Sequence, residues 1–367
     1  MRLLRHLALI CGVLLVLLQP LQACSIPVFR YALERWPADS FEVAVFFDGQ
    51  LSSADMERLN QIEDWAALNG GNANLEVVRC NLQEKVPVDL LAVWKSLPSA
   101  PLPYVVVRAP RERTMQAIVW QGRLQDAFLD QLSMSPARRE VVQRLLKGDA
   151  VVWLLLRGED PALAARTRRT LDETLQQLAE ETLLPPGVGQ PGSELQSKVP
   201  LQVKFSVVEI SATSPAEQTL AALLRGRFRK IPKPSDSLVA PIFGRGRVLE
   251  VLSATEVDAE SIADLTHYLC GACSCQVKQQ NPGFDLPLAL NWEEKLFDAG
   301  QIPRSDEPQA TESKEAEFVP IPTGSTASVL PLKCGTVSPP PGPSRRTVML
   351  WVGGFVGLLV LVVIRKP

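Results

Sequence analysis

Histidine is almost missing from this chain of 367 residues, which has only His6 and His267. Hydrolases built on a Ser/His/Asp or Cys/His pair need a positioned base, and one histidine beyond the leader supplies no such constellation. A surplus of one charge is missing as well. The 38 Lys and Arg face 40 Asp and Glu, the net charge is −2, and no stretch gathers the basic residues that phosphate binding needs, so nucleic acid is not an expected partner. Seven Cys are too few for a disulfide scaffold in a chain this long, yet Cys270, Cys273 and Cys275 crowd into six positions. The acidic residues are scattered singly, with no carboxylate pair at catalytic spacing. Gly244-Arg245-Gly246 lacks the Lys-Ser/Thr of a phosphate loop and reads as a hairpin turn. With 46% hydrophobic and 21% charged residues, the composition is that of folded domains.

Long apolar runs occur only at the two ends. Arg2 and Arg5 precede the run Leu7 to Leu18, and Pro20 to Cys24 follows, so residues 1–23 read as a secretory signal. Leu21-Gln22-Ala23-Cys24 is similar to a bacterial lipobox, which makes Cys24 a candidate for lipidation. The apolar turn of Ser25 to Tyr31 directly behind it, in place of a polar tether, gives the equal alternative of a structural or disulfide-forming Cys24. Near the other end, residues 347–364 form an uncharged run of 18, long enough at about 1.5 Å per residue to cross the hydrocarbon core as a helix. Residues 303–346 carry Pro308, Pro320, Pro322, Pro331 and Pro339-Pro340-Pro341 and read as a disordered stalk. Everything between signal and span is expected outside the cytoplasm, anchored at the inner membrane of a bacterial envelope.

The segment between holds one order of elements twice, expected as domains 24–148 and 149–302. In the first, the strand Val43 to Phe47 is followed by a helix with Met56, Leu59, Ile62 and Ala66 at helical spacing. Leu75 to Cys80 is a strand, Pro87 to Leu97 a helix, Tyr104 to Val107 and Ala117 to Trp120 are strands, and a helix runs through Phe128 and Leu132. The second has the strand Val151 to Leu156, a helix through Leu171, Leu175 and Leu178, and a strand through Val203, Phe205 and Val207. Ser214-Pro215-Ala216-Glu217 reads as a capping box, Leu238 to Phe243 and Val248 to Leu252 as a hairpin, and Asp258 to Leu269 as the closing helix.

An order of β-α-β-α-β-β-α with a proline just ahead of the third strand resembles the thioredoxin fold. The expected class is therefore α/β, two tandem thioredoxin-like domains plus a C-terminal transmembrane helix. The resemblance implies a cis proline at that point, for which Pro103 and Pro241 are the candidates. It also implies a Cys-x-x-Cys after the first strand, but the positions read Asp48-Gly49-Gln50-Leu51 and Gly158-Glu159-Asp160-Pro161. Exchange needs an attacking thiolate and a resolving partner, so the inherited redox chemistry is not expected.

The remaining sulfur chemistry is Cys270-Gly271-Ala272-Cys273-Ser274-Cys275. The spacing suits a disulfide, three ligands of a soft zinc or copper site, or buried unpaired thiols; a fourth ligand could come from Cys24, Cys80 or His267. Its place at a helix C-terminus raises a thiol pKa. Residues 24–36 (CSIPVFRYALERW) and 271–286 (GACSCQVKQQNPGFDL) resemble segments of bacterial envelope proteins that share this layout and have no assigned activity. That resemblance implies that Cys24 and Cys273 to Cys275 lie together, as a disulfide or a shared metal site. The expected function is a membrane-anchored binding or scaffold subunit of an envelope complex with a protein partner at the membrane. The alternative is thiol-disulfide or metal handling through the cysteine segment.

Overall fold

A computed structural model describes residues 25–298 except 69–73, 98–99, 111–116, 128–131, 192, 228–234 and 274–276. The expected signal at 1–23, Cys24, Cys275, the expected stalk at 303–346 and the apolar run 347–364 lie outside these residues. Among the described residues, no helix is long and apolar enough to cross a membrane.

Helix α1 (Val28–Arg35) comes first, then strand β1 (Phe41–Phe47), helix α2 (Ser53–Leu68), β2 (Leu75–Asn81), α3 (Val88–Ser96), β3 (Tyr104–Arg108) and β4 (Ile118–Arg123). The first sheet has the order β2-β1-β3-β4, with β1 and β2 parallel and β3 antiparallel to β1. Helix α4 (Pro136–Leu146) leads into β5 (Val151–Arg157), α5 (Pro161–Glu181), β6 (Phe205–Ser211), α6 (Gln218–Arg227), β7 (Leu238–Phe243), β8 (Arg247–Val248), β9 (Leu252–Ser253), α7 (Ala259–Cys270), β10 (Phe284–Asp285) and α8 (Trp292–Leu296). In the second sheet β6, β5, β7 and β8 lie side by side in the same order and sense, and β10 extends the edge. The duplication extends to register: seven residues of β1 face seven of β2, and seven of β5 face seven of β6.

Each sheet is covered on both faces, because the strands at its centre have apolar side chains in both directions. In the first sheet, Phe41, Val43 and Val45 pack with Leu59 and Ile62 of α2, while Ala44, Phe46 and Cys80 pack with Leu90 of α3. In the second, Val152, Leu154 and Leu156 of β5 face α4, α6 and α8; Val151, Trp153 and Leu155 face α1, α5 and α7.

Two pieces that precede residue 148 pack on the second sheet. Helix α1 buries Phe29, Tyr31 and Ala32 in the core around Trp153, and α4 buries Val141, Val142 and Leu145 on the opposite face. The boundary at 148 is thus one of sequence, and the first sheet is inserted between α1 and α4. The closing helix expected through Phe128 and Leu132 falls largely on residues outside the described set, although Leu132 lies in the first core.

The two sheets are joined by satisfied polar contacts and a shared apolar one. Val119 of β4 packs against both cores. Asn74, buried just before β2, donates to the carbonyls of Asp39 and Leu286 and accepts from the Leu288 N–H at 2.7 Å. Glu217 was expected to cap its own helix, but its carboxylate serves the start of α4. It accepts from Ser135 Oγ at 2.6 Å and from the Ala137 N–H at 2.7 Å. Arg138, fully buried beside it, is pushed down to about 10 by burial, against the attraction of Glu217. A buried group shared in this way is costly to break from one side. Glu217→Ala is expected to lower stability in urea unfolding by about 3–5 kcal/mol, whereas a loss of under about 1 kcal/mol, the size of one net hydrogen bond, would show that this contact does not join the units.

Candidate functional site

The order of strands and helices directs attention to the turn after the first strand of each unit and the loop that faces it. Matching β1 to β5 by register sets Tyr104, paired with Phe46, against Leu238, paired with Leu156. Pro103 then corresponds to Ser237. The Leu102–Pro103 bond is cis, as expected. Pro241 was the wrong counterpart: among the described residues its bond is not cis, and it sits inside β7 facing Trp153 of β5. An extended residue turns its N and C=O towards the same neighbour. The Pro241 carbonyl accepts from Leu249, so its missing N–H faces β8 and β9, which are separate strands around that point.

Neither turn contains sulfur. Asp48 to Ser52 connects β1 to α2, and the Gly49 N–H is held by Asn81 Oδ1 at 3.0 Å. In the second unit the Gly158 N–H is held by Ser237 Oγ at 2.9 Å, and Glu159 N–H by the Ser235 carbonyl at 3.0 Å. Here the backbones approach so closely that a Cβ on Gly158 would lie 1.9 Å from the Ser235 oxygen. The loop corresponding to the cis proline is pressed against the turn, and no side chain at position 158 can stand between them.

The predicted sulfur residues divide between the two cores. Cys80 lies under the first sheet, so it cannot serve as a further ligand for Cys270 and Cys273, which are buried with α1 in the second. Burial pushes the Cys80 thiol up to about 11, and the nearby Glu42 carboxylate adds to the rise; burial pushes Cys270 up to about 12. His267 is exposed on α7 while Cys270 faces inward, so the shared helix face does not bring them together. Among the described residues no three His, Cys, Asp or Glu are grouped to hold a metal ion. Cys273 instead helps fasten the segment just before α1: its N–H donates to the Ile26 carbonyl at 2.9 Å.

Sequence reasoning missed the charged groups that hold this region. Lys278 lies 2.6 Å from Asp285 and 2.9 Å from Asp39, and Arg247 lies 3.0 Å from Asp285. Burial raises the Asp39 carboxyl and repulsion from Asp285 adds to this, while Lys278 and Arg247 oppose it. Paired so completely, the two carboxylates fix the Pro37–Ser40 crossing between the units and offer no open acid or base. Isolated Asp and Lys residues spread over the sequence gave no signal of this.

No protein family and no curated protein matches the chain. Among solved structures it is similar to the first two thioredoxin domains of Eps1p from Naumovozyma dairenensis, at 9% identity over 63% of this chain and 91% of that one, with a TM-score of 0.20. The same domains of Saccharomyces cerevisiae Eps1p match at 10% identity over 63% of this chain and 92% of theirs, with a TM-score of 0.19. Full-length ERdj5 matches at 12% over 70% of this chain and 34% of its own length, also at 0.19. Likenesses of this size carry no weight; strand order and register define the fold.

The buried thiols yield a pH dependence. Unfolded, they ionise from about pH 9; folded, they keep their protons until about 11 and 12. The folded state therefore binds more protons across that window, and stability falls as pH rises through it. Native Cys80 and Cys270 are expected to resist alkylation at about pH 8 and to react on unfolding, as read by mass spectrometry. Rapid labelling of either in the native protein would contradict their assigned environments.

Proposed function

We propose that this chain is a membrane-anchored, extracytoplasmic binding or scaffold subunit of a bacterial envelope complex, built on two thioredoxin-like units that lack the redox pair. The observation that carries the reading is the absence of sulfur from both turns, at 48–52 and 158–161, together with a second unit whose turn is closed by its own backbone. Exchange chemistry needs an accessible thiolate at a helix start. The described thiols are buried, and Cys270 ends its helix, where the dipole disfavours the anion. Support for the setting comes from sequence: the signal at 1–23, the proline-rich stalk at 303–346 and the apolar run at 347–364.

A scaffold should hold a partner and turn nothing over. Crosslinking of the full chain in intact membranes, followed by mass spectrometry, is expected to return one envelope protein reproducibly. The purified chain is expected to reduce insulin disulfides no faster than dithiothreitol alone. Reductase turnover, or stoichiometric zinc or copper retained through purification, would reject the scaffold reading in favour of thiol or metal handling through Cys270, Cys273 and Cys275.

A further inference from the structure

The first sheet ends in an edge strand, β2, whose outward groups follow from its bonds to β1. The Phe41 N–H donates to the Asn74 carbonyl and the Leu82 N–H to the Phe47 carbonyl, each at 2.8 Å. Between those two bonds the parallel register runs without a break. Glu76, Val78 and Cys80 therefore turn N–H and C=O to β1, and Val77 and Arg79 turn theirs away from it. Among the described residues no strand pairs with β2 on that side. The second unit treats the same place differently. Val207, which matches Val77 by register, has its carbonyl taken at 3.2 Å by Arg144 of α4, itself held by Glu140 at 2.7 Å.

Charge is left over at the same edge. Glu76 is exposed and lies in register with Glu42 of β1, about 4.8 Å away as neighbouring strands are spaced. One guanidinium, that of Arg108, serves both Glu42, at 2.6 Å, and Asp89, at 3.0 Å. Glu76 makes no ion pair among the described residues.

From the open ladder and this unanswered carboxylate we propose that the outer edge of β2 docks an extended segment of a partner protein, which joins the four-stranded sheet as a further strand. The segment carries a Lys or Arg beside Glu76 and, two residues along, an apolar side chain beside Val78, because alternate residues of an added strand share a face. Backbone pairing supplies the hold, and those two side chains supply the choice. A second copy of this chain does not fit. The face of β2 that bears Glu76 otherwise presents Val78 and Cys80 and no base, so β2 paired with itself leaves Glu76 unanswered. On the other face Arg79 is already held by Glu63 at 2.6 Å. The inference rests on the scaffold reading above and names the surface that holds the partner.

Val77→Pro probes the edge without touching the ladder to β1. It deletes an outward N–H, whereas the donors to β1 are at 76, 78, 80 and 82. In membrane crosslinking of the full chain, Val77→Pro and Glu76→Lys are each expected to cut recovery of the partner by about tenfold, at unchanged amounts of this chain. Changing the basic residue of the crosslinked partner segment to Glu is expected to restore recovery with the Glu76→Lys chain. Undiminished recovery of the partner with either variant would overturn the proposal and leave the scaffold reading standing. Recovery of no partner by the unaltered chain would sink that reading and the proposal together. Amide exchange of the purified full chain gives a second measure: Val77 and Arg79 are expected to exchange about a hundredfold faster than Val78 and Cys80. Equal protection of all four in the monomer would mean that the chain closes its own edge, and protection that grows with protein concentration would mean that a second copy does. Either result would overturn the proposal.

Discussion

Arg30 and Glu34, one helical turn apart and both buried, hold the first described segment in place. Their side chains meet at 2.7 Å. The other Arg30 nitrogens donate to the carbonyls of Val199 and Ser197, and Glu34 accepts from the N–H groups of Gln196 and Ser197. Two charges taken out of water cost several kcal/mol each unless their hydrogen bonds are filled, and here the 196–199 loop fills them. The helix cannot leave without stranding both charges. It therefore belongs to the second sheet, and the crossing at Trp36 to Ser40 must carry the chain from that sheet into the first.

This constraint explains why the molecule is more than two units in a row. The first sheet is an insertion whose entry is clamped by Asp39, Lys278, Asp285 and Asn74, and whose exit is clamped by Glu217 at the start of α4. Its exposed edge is covered by packing of β4 against α6, which removes one open strand from solvent. The two units keep the same strand order, but the loops that face each other differ: a cis proline in the first, a serine hydroxyl gripping Gly158 in the second.

Much of the fold could be read directly. Strand β5 was plain because a strand buried on both faces has an unbroken apolar run, and the duplicated order followed from such runs and their turn residues. Helix α1 was not, since Arg30 and Glu34 sit in the middle of its buried surface and hide its apolar stripe. Glu217 looked local because a capping box and a long-range cap use the same residue types. Pro241 was misassigned because a proline inside a strand and one ahead of it look alike until the register is known. For the candidate site, the missing redox pair was legible from residue identity alone. The separation of Cys80 from Cys270 was not, because it depends on which sheet each strand and helix joins.

Native-state amide exchange tests the central claim most directly. If the Arg30–Glu34 pair makes the N-terminal helix part of the second core, the amides of α1 should exchange only through the same global opening as those of β5, with equal protection and equal sensitivity to denaturant. Protection of α1 that is far weaker than that of β5 and insensitive to denaturant would mean that the helix frays on its own. The first sheet would then be an appended domain and not an insertion.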